Sequence, residues 1–528
     1  MTTTTTTTMT PYRSSQQAGR DGFAQLLRAE WTKFRTVRGW VIGMVVAALV
    51  TVLLGLFTAS GSHCSVGPFP GDPTSHACTG LLGPGGEAVT DSFYFVHQPL
   101  DGNGSITVRV TALTGVITST HVGGQATPGL QPWSKAGVII KENTKQGSAY
   151  AAMMVTGSHG VRMQYNYTQD TPGLAGAVSA ASPRWLRLTR TGDTITGDES
   201  ADGTHWTRVG TARLAGLPST VQAGLFAASP GHQQVVSKSL GGSTTTGGPT
   251  QATAALDHVS LQGQWPAAAW AGTDIGAPVG PQPAGLVGFH QAGGAFTVRG
   301  SGDIAPSVRP QGDATPIERT LVGAFAGLIA VIVVATMFIT TEYRRGLIRT
   351  TLAASPRRGR VLAAKAIVIG AVTFVAGLAA AAAVPLGERI LRHNGNFIAP
   401  VPSLTELRVV AGTAALLAVA AVLALAVGAV LRRSAGAVTA VIAAIVLPYI
   451  LATASVLPAG PSEWLLRLTP AAAFAIQQST PRYPQVTSSY TPTDGYFPLT
   501  PWAGFAVLCA YAALALGLGV FLLRRQDA

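Results

Sequence analysis

Few residues of this chain have the types and spacing that chemistry requires. The group nearest to a carboxylate pair is Asp198, Glu199 and Asp202, and glycoside hydrolysis needs two carboxylates about 5–10 Å apart. Asp202 stands before a glycine, and Asp-Gly is typical of a hairpin turn. This pattern favours three solvated carboxylates at a turn over a catalytic pair. The nearby histidines lack the spacing of metal ligands, so the sequence predicts neither a catalytic residue nor a metal site.

Three tryptophans in the same part of the chain are candidate ligand contacts. Trp133, Trp185 and Trp206 could stack on a sugar ring. Tryptophans of a small β domain more often belong to its core. The first interpretation predicts a glycan ligand, and the second predicts a purely structural role.

The densest positive charge lies in "TTEYRRGLIRTTLAASPRRGR", residues 340–360, which holds six arginines and one acid, Glu342. A hydrophobic run stands on each side of it. The stretch could be a solvated loop or a nucleic-acid patch. A third interpretation is that it marks the cytoplasmic face of a membrane and contacts a partner there.

The composition is that of a membrane protein. The chain has 528 residues, of which 47% are hydrophobic and only 11% are charged, whereas soluble domains carry about 25% charged residues. A membrane-spanning helix needs roughly 20 apolar residues. Six stretches without any charged residue meet that length, which predicts a polytopic α-helical protein with transmembrane helices at residues 40–58, 321–341, 366–387, 409–431, 435–457 and 502–523.

The segments between these helices alternate in charge. One set carries 17 basic and 4 acidic residues: a disordered tail at 1–20, an interfacial segment at 21–39, a loop at 342–365, the pair Arg432 and Arg433, and the C-terminal tail. The short connections on the other side carry 5 basic and 4 acidic residues. Because positive residues stay cytoplasmic, both termini are predicted to lie inside and residues 59–320 outside. The excess charge follows the inner membrane face, which favours membrane lipids over nucleic acid as its partner.

The long external segment has the pattern of an antiparallel β domain. In "SITVRVTAL", Ile106, Val108 and Val110 alternate with polar residues, as in a half-buried strand. Similar short strands separated by Gly, Asp and Pro predict a β-sandwich at about 85–265, with an extension to 305. Cys64 and Cys78 stand before this domain, and an oxidising compartment favours a disulfide between them over two free thiols.

If this chain moves a molecule uphill across a membrane, another chain must supply the energy. No Lys, Arg, Asp, Glu or His lies inside the six predicted helices, and no Gly-Lys pair is available for a phosphate-binding loop. Near the N-terminus, Phe23, Leu27, Trp31 and Phe34 share one helical face, which predicts an amphipathic helix in the inner interface.

Two resemblances extend this interpretation. "PWSKAGVIIKEN", "GSAYAAMMVTGSHGVRMQYNY" and "SADGTHWTRVG" resemble the concanavalin A-like lectin/glucanase sandwiches, which implies a jelly-roll-like domain in about residues 87–263. That fold serves binders, enzymes and passive modules alike.

The second resemblance covers the N-terminal helix and all six spans. "LLRAEWTKFRTVRGW" and "TEYRRGLIRTTLAASPRRGRVLAAKAIV" resemble the permease subunits of bacterial type 2 ABC transporters. This resemblance implies a permease of the plasma membrane that works as a homodimer or a heterodimer. We expect the transporter to be an exporter. ATP and Mg²⁺ would bind a separate ATPase subunit, and no cofactor would bind this chain. The alternative is a membrane-anchored carbohydrate-binding or sensor protein. The family resemblance assigns the ATPase contact to Glu342, Tyr343, Arg344, Arg345, Gly346, Arg349, Pro356, Arg357 and Arg358.

Overall fold

The structure is a computed structural model of the chain. It describes residues 22–66, 76–78, 80–118, 126–237, 243–266, 268–276, 287–308, 314–354, 357–454, 456–488 and 490–525. The predicted disordered tail at 1–20 lies outside the described residues.

Ten α-helices lie in the described part of the chain, and six helical segments of it are long and apolar enough to cross a membrane. The helices are α1 (Phe23–Thr36), α2 (Arg38–Ser60), α3 (Ala324–Arg344), α4 (Leu347–Ala354), α5 (Arg358–Ala381), α6 (Val384–His393), α7 (Ser403–Leu431), α8 (Ser434–Thr453), α9 (Ala459–Leu468) and α10 (Pro501–Arg525). The six segments are built on α2, α3, α5 with α6, α7, α8 and α10. Helix α7 lies at the centre of the bundle and packs against α3, α5 and α10.

Several helices extend beyond the charge-free stretches that predicted them. Helix α7 begins at Ser403, six residues before the predicted span, and it includes Arg408, whose guanidinium donates to the carbonyl of Gln478 at 2.5 Å. The predicted loop at 342–365 contains the last turn of α3, the helix α4 and the first turns of α5. Charged residues beside a span can therefore lie in its helix when their side chains have hydrogen-bond partners.

The segment between α2 and α3 contains a large antiparallel sheet. The strands of the chain are β1 (Ser65–Val66), β2 (His76–Ala77), β3 (Val89–Asp91), β4 (Phe93–Thr118), β5 (Ala126–Pro128), β6 (Lys135–Lys141), β7 (Tyr150–Thr156), β8 (Val161–Tyr165), β9 (Gln169–Pro172), β10 (Arg184–Thr191), β11 (Thr194–Ser200), β12 (Thr207–Arg213), β13 (Thr220–Ala228), β14 (His232–Ser237), β15 (Ser243–Gly248), β16 (Thr250–Gln264), β17 (Ala271–Ile275), β18 (Gly288–Ala292), β19 (Ala295–Gly300), β20 (Ile304–Pro306), β21 (Ala314–Thr315) and β22 (Phe397–Ile398).

Strand β4 organises this sheet, in which 14 of the described strands are connected. Its first half pairs with β13 and β17, and its second half pairs with β10 and β16. The partner changes near Gly102, whose φ of 63° lies in the left-handed region that glycine tolerates. One long strand thus takes part in both halves, and the sheet curves toward a barrel-like form instead of separating into two independent sheets.

The curved sheet encloses one apolar core and carries a second on its outer face. Ile106, Val108 and Val110 are fully buried in the inner core, as their alternation predicts. The outer core includes Phe95 and Phe226, from the neighbouring strands β4 and β13. Strands β6 and β7 are buried along their whole length because they contribute side chains to both cores.

Two buried lysines fasten this sheet to the segments that cover the outer core. Lys141 Nζ lies 2.8 Å from Asp91 Oδ2, and Lys135 Nζ lies 2.6 Å from Asp303 Oδ1. Burial lowers the pKa of Lys141, and the charge of Asp91 opposes that effect. The two aspartates stand before and after most of the sheet in the chain, so these ion pairs hold the β domain closed near both of its ends.

The β domain is joined to the helical bundle at the end opposite the chain termini. The predicted disulfide between Cys64 and Cys78 is confirmed, with Cα atoms 5.6 Å apart. The amides of both cysteines donate to the loop after α6, at Asn394 and Gly395, and β21 pairs with β22 in parallel. The coarse prediction, an inserted β domain in a helical membrane protein, is confirmed.

Candidate coupling site

Four charged side chains meet at the end of the bundle where the N-terminal helix lies. Lys365 of α5 places its Nζ 2.6 Å from Glu30 Oε2 of α1 and 2.6 Å from Glu342 Oε1 of α3. Lys33 Nζ lies 2.8 Å from Glu30 Oε1 and 3.3 Å from Glu342 Oε1. We call these four residues the charge cluster. Its two positive and two negative charges balance, and it ties three helices together.

Most of the charge cluster is removed from solvent. Lys365 and Glu30 are fully buried and Glu342 is 4% exposed, whereas the Lys33 side chain is 38% exposed. Burial alone would lower the pKa of Lys33, but its bonds to the two glutamates outweigh this effect and raise the pKa above its ordinary value. A buried cluster of this kind is strongly destabilised when one partner is removed, because an uncompensated charge remains.

Aromatic rings next to the cluster explain why it stays dry. Phe338 lies one turn before Glu342, and its ring centroid is 4.9 Å from Lys365 Nζ. The same ring packs edge-on against Trp40 and Phe34, at 4.9 and 5.9 Å. The rings of α1, α2 and α3 therefore form an apolar wall beside the charges, where electrostatic attraction is stronger than in water.

The N-terminal helix contributes both to the wall and to the cluster. Of its predicted apolar face, Phe34 is buried, Leu27 and Phe23 are half-buried, and Trp31 remains 48% exposed. Glu30 is more deeply buried than any of these four residues. The helix is thus fixed to the bundle by a charge as well as by its apolar face.

The connection between α3 and α5 presents a polar outer side. Arg344, Arg345 and Gly346 are exposed at the end of α3, and Arg357 is exposed just before α5. On the inner side, Ile348 of α4 is buried against a small apolar cluster. Helix α4 is thus held from beneath by Ile348, and exposed arginines flank it at the end of α3 and just before α5.

The remaining predicted coupling residues have other surroundings. Glu342 is buried in the charge cluster, so its carboxylate is turned away from the outer surface. Tyr343 lies beneath Arg432, whose guanidinium carbon is 5.4 Å from the ring centroid. Arg358 donates to the carbonyl of Leu523 at 2.5 Å and so contacts the end of α10. Pro356 and the side chain of Arg349 lie outside the described residues.

The carboxylates of the β domain are arranged differently from the prediction. Asp198 and Glu199 lie in strand β11 and are buried, so the expectation of solvated turn residues is wrong for these two. Adjacent strand residues point to opposite faces, and each has its own partners. Asp198 pairs with Arg187, and burial raises the pKa of Glu199 although the amide of Leu174 opposes this.

The turn itself is confirmed. Asp202 lies between the paired strands β11 and β12 and accepts the amides of Thr204 and His205 at 2.8 Å. These bonds and the His205 ring hold the pKa of Asp202 far below its usual range. Asp202 is therefore a turn-stabilising carboxylate.

The three tryptophans lie in two places. Trp133 is 5% exposed and stacks on His159 at 3.9 Å. Trp185 and Trp206 lie beside the turn at Gly203, and both are half-buried. Arginine side chains cover ring faces at each position, the closest being 4.1 Å above Trp206. In the described residues, no group of three His, Cys, Asp or Glu side chains could hold a metal ion.

Sequence reasoning missed Glu30, Lys33 and Lys365 as members of a site. The sequence places Lys365 at the end of the predicted loop at 342–365, and the other two in the interfacial segment at 21–39. The available signal was the rarity of acids, since Glu30 and Glu342 are two of only four acidic residues in the basic segments. An isolated acid within a basic segment suggests a specific ion pair.

No curated protein matches the chain. Among solved structures, it is similar to a functionally unknown protein from Saccharomyces cerevisiae, with 14% identity, 39% of this chain and 98% of that chain covered, and a TM-score of 0.22. It is also similar to the GH43 BlXynB protein from Bacillus licheniformis, with 14% identity, 24% of each chain covered and a TM-score of 0.17. Scytalido-glutamic peptidase matches with 8% identity, 40% of this chain and 98% of that chain covered, and a TM-score of 0.24. These scores carry no conclusion about the β domain.

A family model gives a broader result. The model described as ABC-2 family transporter protein matches residues 143–528, which is more than half of the chain and includes five of the six candidate spans. Members of this family are the membrane components of ABC transporters and work with an ATPase subunit. The chain belongs to the ABC-2 family of transporter proteins.

Proposed function

We propose that this chain is the permease subunit of an ATP-driven exporter and that the connection between α3 and α5 receives the motion of a separate ATPase. Family membership supports the permease role. The observation that carries the coupling role is the charge cluster. Contacts of 2.6 Å join α5 to α1 and to α3, and a contact of 3.3 Å joins α3 to α1, so the helices at both ends of this connection are held together.

The proposed contact surface is the exposed side of the connection. Arg344, Arg345 and Arg357 are exposed there and can pair with acidic residues of an ATPase. Beneath it, Ile348 packs against Val361 of α5. A displacement of α4 by the ATPase would therefore be transmitted to α5 through this side-chain contact and to α3 through the connecting backbone. Glu342 and Tyr343 act in this proposal as positioning residues, because they are packed inward.

In this proposal the termini lie in the bacterial cytoplasm and the β domain lies outside the plasma membrane. The positive charge of the terminal end and the Cys64–Cys78 disulfide at the other end support that orientation. ATP and Mg²⁺ bind the partner ATPase. Two copies of this chain, or one copy with a similar permease, form the pathway, and the large apolar exposed faces of α2 and α10 are suited to lipid or to that second subunit.

The test is ATPase activity of the reconstituted complex. Proline at Thr351 removes an interior hydrogen bond of α4, which costs about 3 kcal/mol in a helix, so Thr351→Pro should abolish stimulation of the ATPase while the permease still inserts. Thr350→Ala changes an exposed neighbour and serves as the matched control. Arg344→Ala with Arg345→Ala should weaken assembly at low salt, and the difference from wild type should shrink as added salt screens the charges.

Two results would contradict the proposal. One is that the complex with the Thr351→Pro permease assembles normally and that its ATPase is still stimulated normally. The other is failure of any ATPase to copurify at low salt or to restore activity on reconstitution. The second result would instead support the membrane-anchored binding or sensor role, in which the β domain is the functional part.

A further inference from the structure

A cavity of about 840 Å³ lies where the β domain meets the helical bundle. Its walls come from residues 85–88 before the sheet, from the start of α7, from the loop at 478–483 and from residues 497–501 before α10. The volume falls in the range of ligand pockets, roughly 300–1,000 Å³. The cavity is far from the charge cluster, at the opposite end of the helical bundle.

Two arginines and one glutamate are the charged residues that line this cavity in the described part of the chain. Arg408 donates from Nη2 to the carbonyl of Gln478 at 2.5 Å, and its buried Nε has no hydrogen-bond partner among the described residues. Arg482 donates to the carbonyl of Phe497 at 3.0 Å. Both guanidinium groups use neutral carbonyls in these bonds. With Glu87 as the third charge, the lining is net positive.

Two long helices begin at the same cavity. Pro402, before α7, and Thr500, before α10, both line it. Pro402 has no side chain that could cap the first amides of α7. A helix N-terminus carries a partial positive charge and free N–H groups, so it attracts anions. The helix ends therefore add to the positive character that the arginines create.

A buried hydroxyl provides an independent sign of a ligand. Ser479 lines the cavity and is 5% exposed, yet its Oγ has no hydrogen-bond partner among the residues that the structure describes. Its neighbour Gln478 is fixed, since its side chain bonds the carbonyl of Thr480 at 2.9 Å and the amide of Phe497 at 3.0 Å. An unsatisfied buried polar group is costly, and a ligand oxygen would satisfy it.

Part of the remaining wall is apolar. Val401, Phe497 and Leu499 lie there among several prolines, close to the starts of α7 and α10. We propose that the cavity binds an anionic amphiphile, with its phosphate or carboxylate at Arg408, Arg482 and Ser479 and its apolar part against Phe497 and Leu499. This site goes beyond the coupling proposal and does not depend on an ATPase.

Lipid binding to the purified full-length protein tests this site without any nucleotide. Native mass spectrometry would compare dioleoyl phosphatidylglycerol with dioleoyl phosphatidylcholine. We expect the anionic lipid to bind more tightly, and Arg408→Gln to weaken its binding about tenfold or more, as loss of a charged hydrogen bond predicts. Arg389→Gln is the matched control, since this exposed arginine of α6 lies at the same end of the bundle but outside the cavity.

Further variants keep the test independent of the folding of Arg408→Gln. Arg482→Gln removes an exposed lining charge, and Thr405→Trp fills the cavity without changing charge; both should weaken phosphatidylglycerol binding. Equal binding of the two lipids, or binding unchanged in all three variants, would overturn the proposal. The amphiphile that copurifies from cells distinguishes its source. A bulk membrane lipid lost in Arg408→Gln indicates a resident lipid, and a molecule foreign to the bulk membrane indicates the transported cargo.

Discussion

Removing the positive centre of the charge cluster should destabilise the helical bundle. In Lys365→Met, the carboxylates of Glu30 and Glu342 lose two contacts of 2.6 Å and remain buried. Lys33 would then be the only cation of the cluster, and its side chain is 38% exposed. Loss of one partner from a buried ion pair costs about 3–5 kcal/mol. We expect a loss of that size in the free energy of unfolding.

Two further variants distinguish the effect of burial from the effect of the net charge of the cluster. Lys33→Met removes the same charge from a partly exposed position, where an ion pair contributes about 0–1 kcal/mol. The double variant Lys365→Met with Glu342→Gln restores neutrality and should recover part of the loss, because an uncharged replacement of a buried pair is often well tolerated.

The assay is unfolding by sodium dodecyl sulfate in mixed micelles, followed by the helical signal in far-ultraviolet circular dichroism. This signal reports on the bundle more than on the β domain. The reasoning would be refuted if Lys365→Met were no less stable than Lys33→Met. It would also be refuted if the double variant were as unstable as the single one.

Two further outcomes are expected. Burial raises the pKa of Glu199, so its protonated form stabilises the fold fully below the unfolded pKa of about 4.3, and this contribution is lost as pH rises through the folded pKa. The melting temperature of Glu199→Gln should therefore be close to that of wild type at pH 4 and higher than that of wild type at pH 7. The same difference in melting temperature at both pH values would contradict this. In a background without Cys509, single cysteines are placed at the exposed positions Thr204 and Thr350. An impermeant maleimide should label the cysteine at position 204 of intact cells and leave the one at position 350 unlabelled. Labelling of position 350 would contradict the proposed orientation.

Much of the architecture follows from local sequence patterns. Runs of about 20 apolar residues are sufficient to identify the candidate spans, since a bilayer imposes that length on any crossing helix. Alternation in "SITVRVTAL" identifies a strand because side chains point to opposite faces in turn. The disulfide also follows from the sequence, from two cysteines placed close together in a segment expected outside the cell.

The proline test shows how an inference depends on the local structure. In the sequence, Ile348 lies within the helix-like stretch "GLIRTTLAAS" and is a natural site for a helix-breaking substitution. In the structure it is the second residue of α4, where proline is tolerated because the first amides have no partner within the helix. Thr351 lies three residues after Ile348, and its amide donates a hydrogen bond within α4. Proline at position 351 therefore removes a helical hydrogen bond, which proline at position 348 would not do.

What the sequence alone determined is the number of candidate spans, the presence of an inserted β domain and the family resemblance, because each rests on patterns within short segments. Only the tertiary structure decided which charges act together. Glu30 and Lys365 are separated by 335 positions and still form one contact of 2.6 Å. Asp198 and Glu199 are adjacent and yet face different partners. The reason is physical: a charge can be buried only where distant elements bring its counter-charge or hydrogen-bond partners, and no local pattern specifies that meeting.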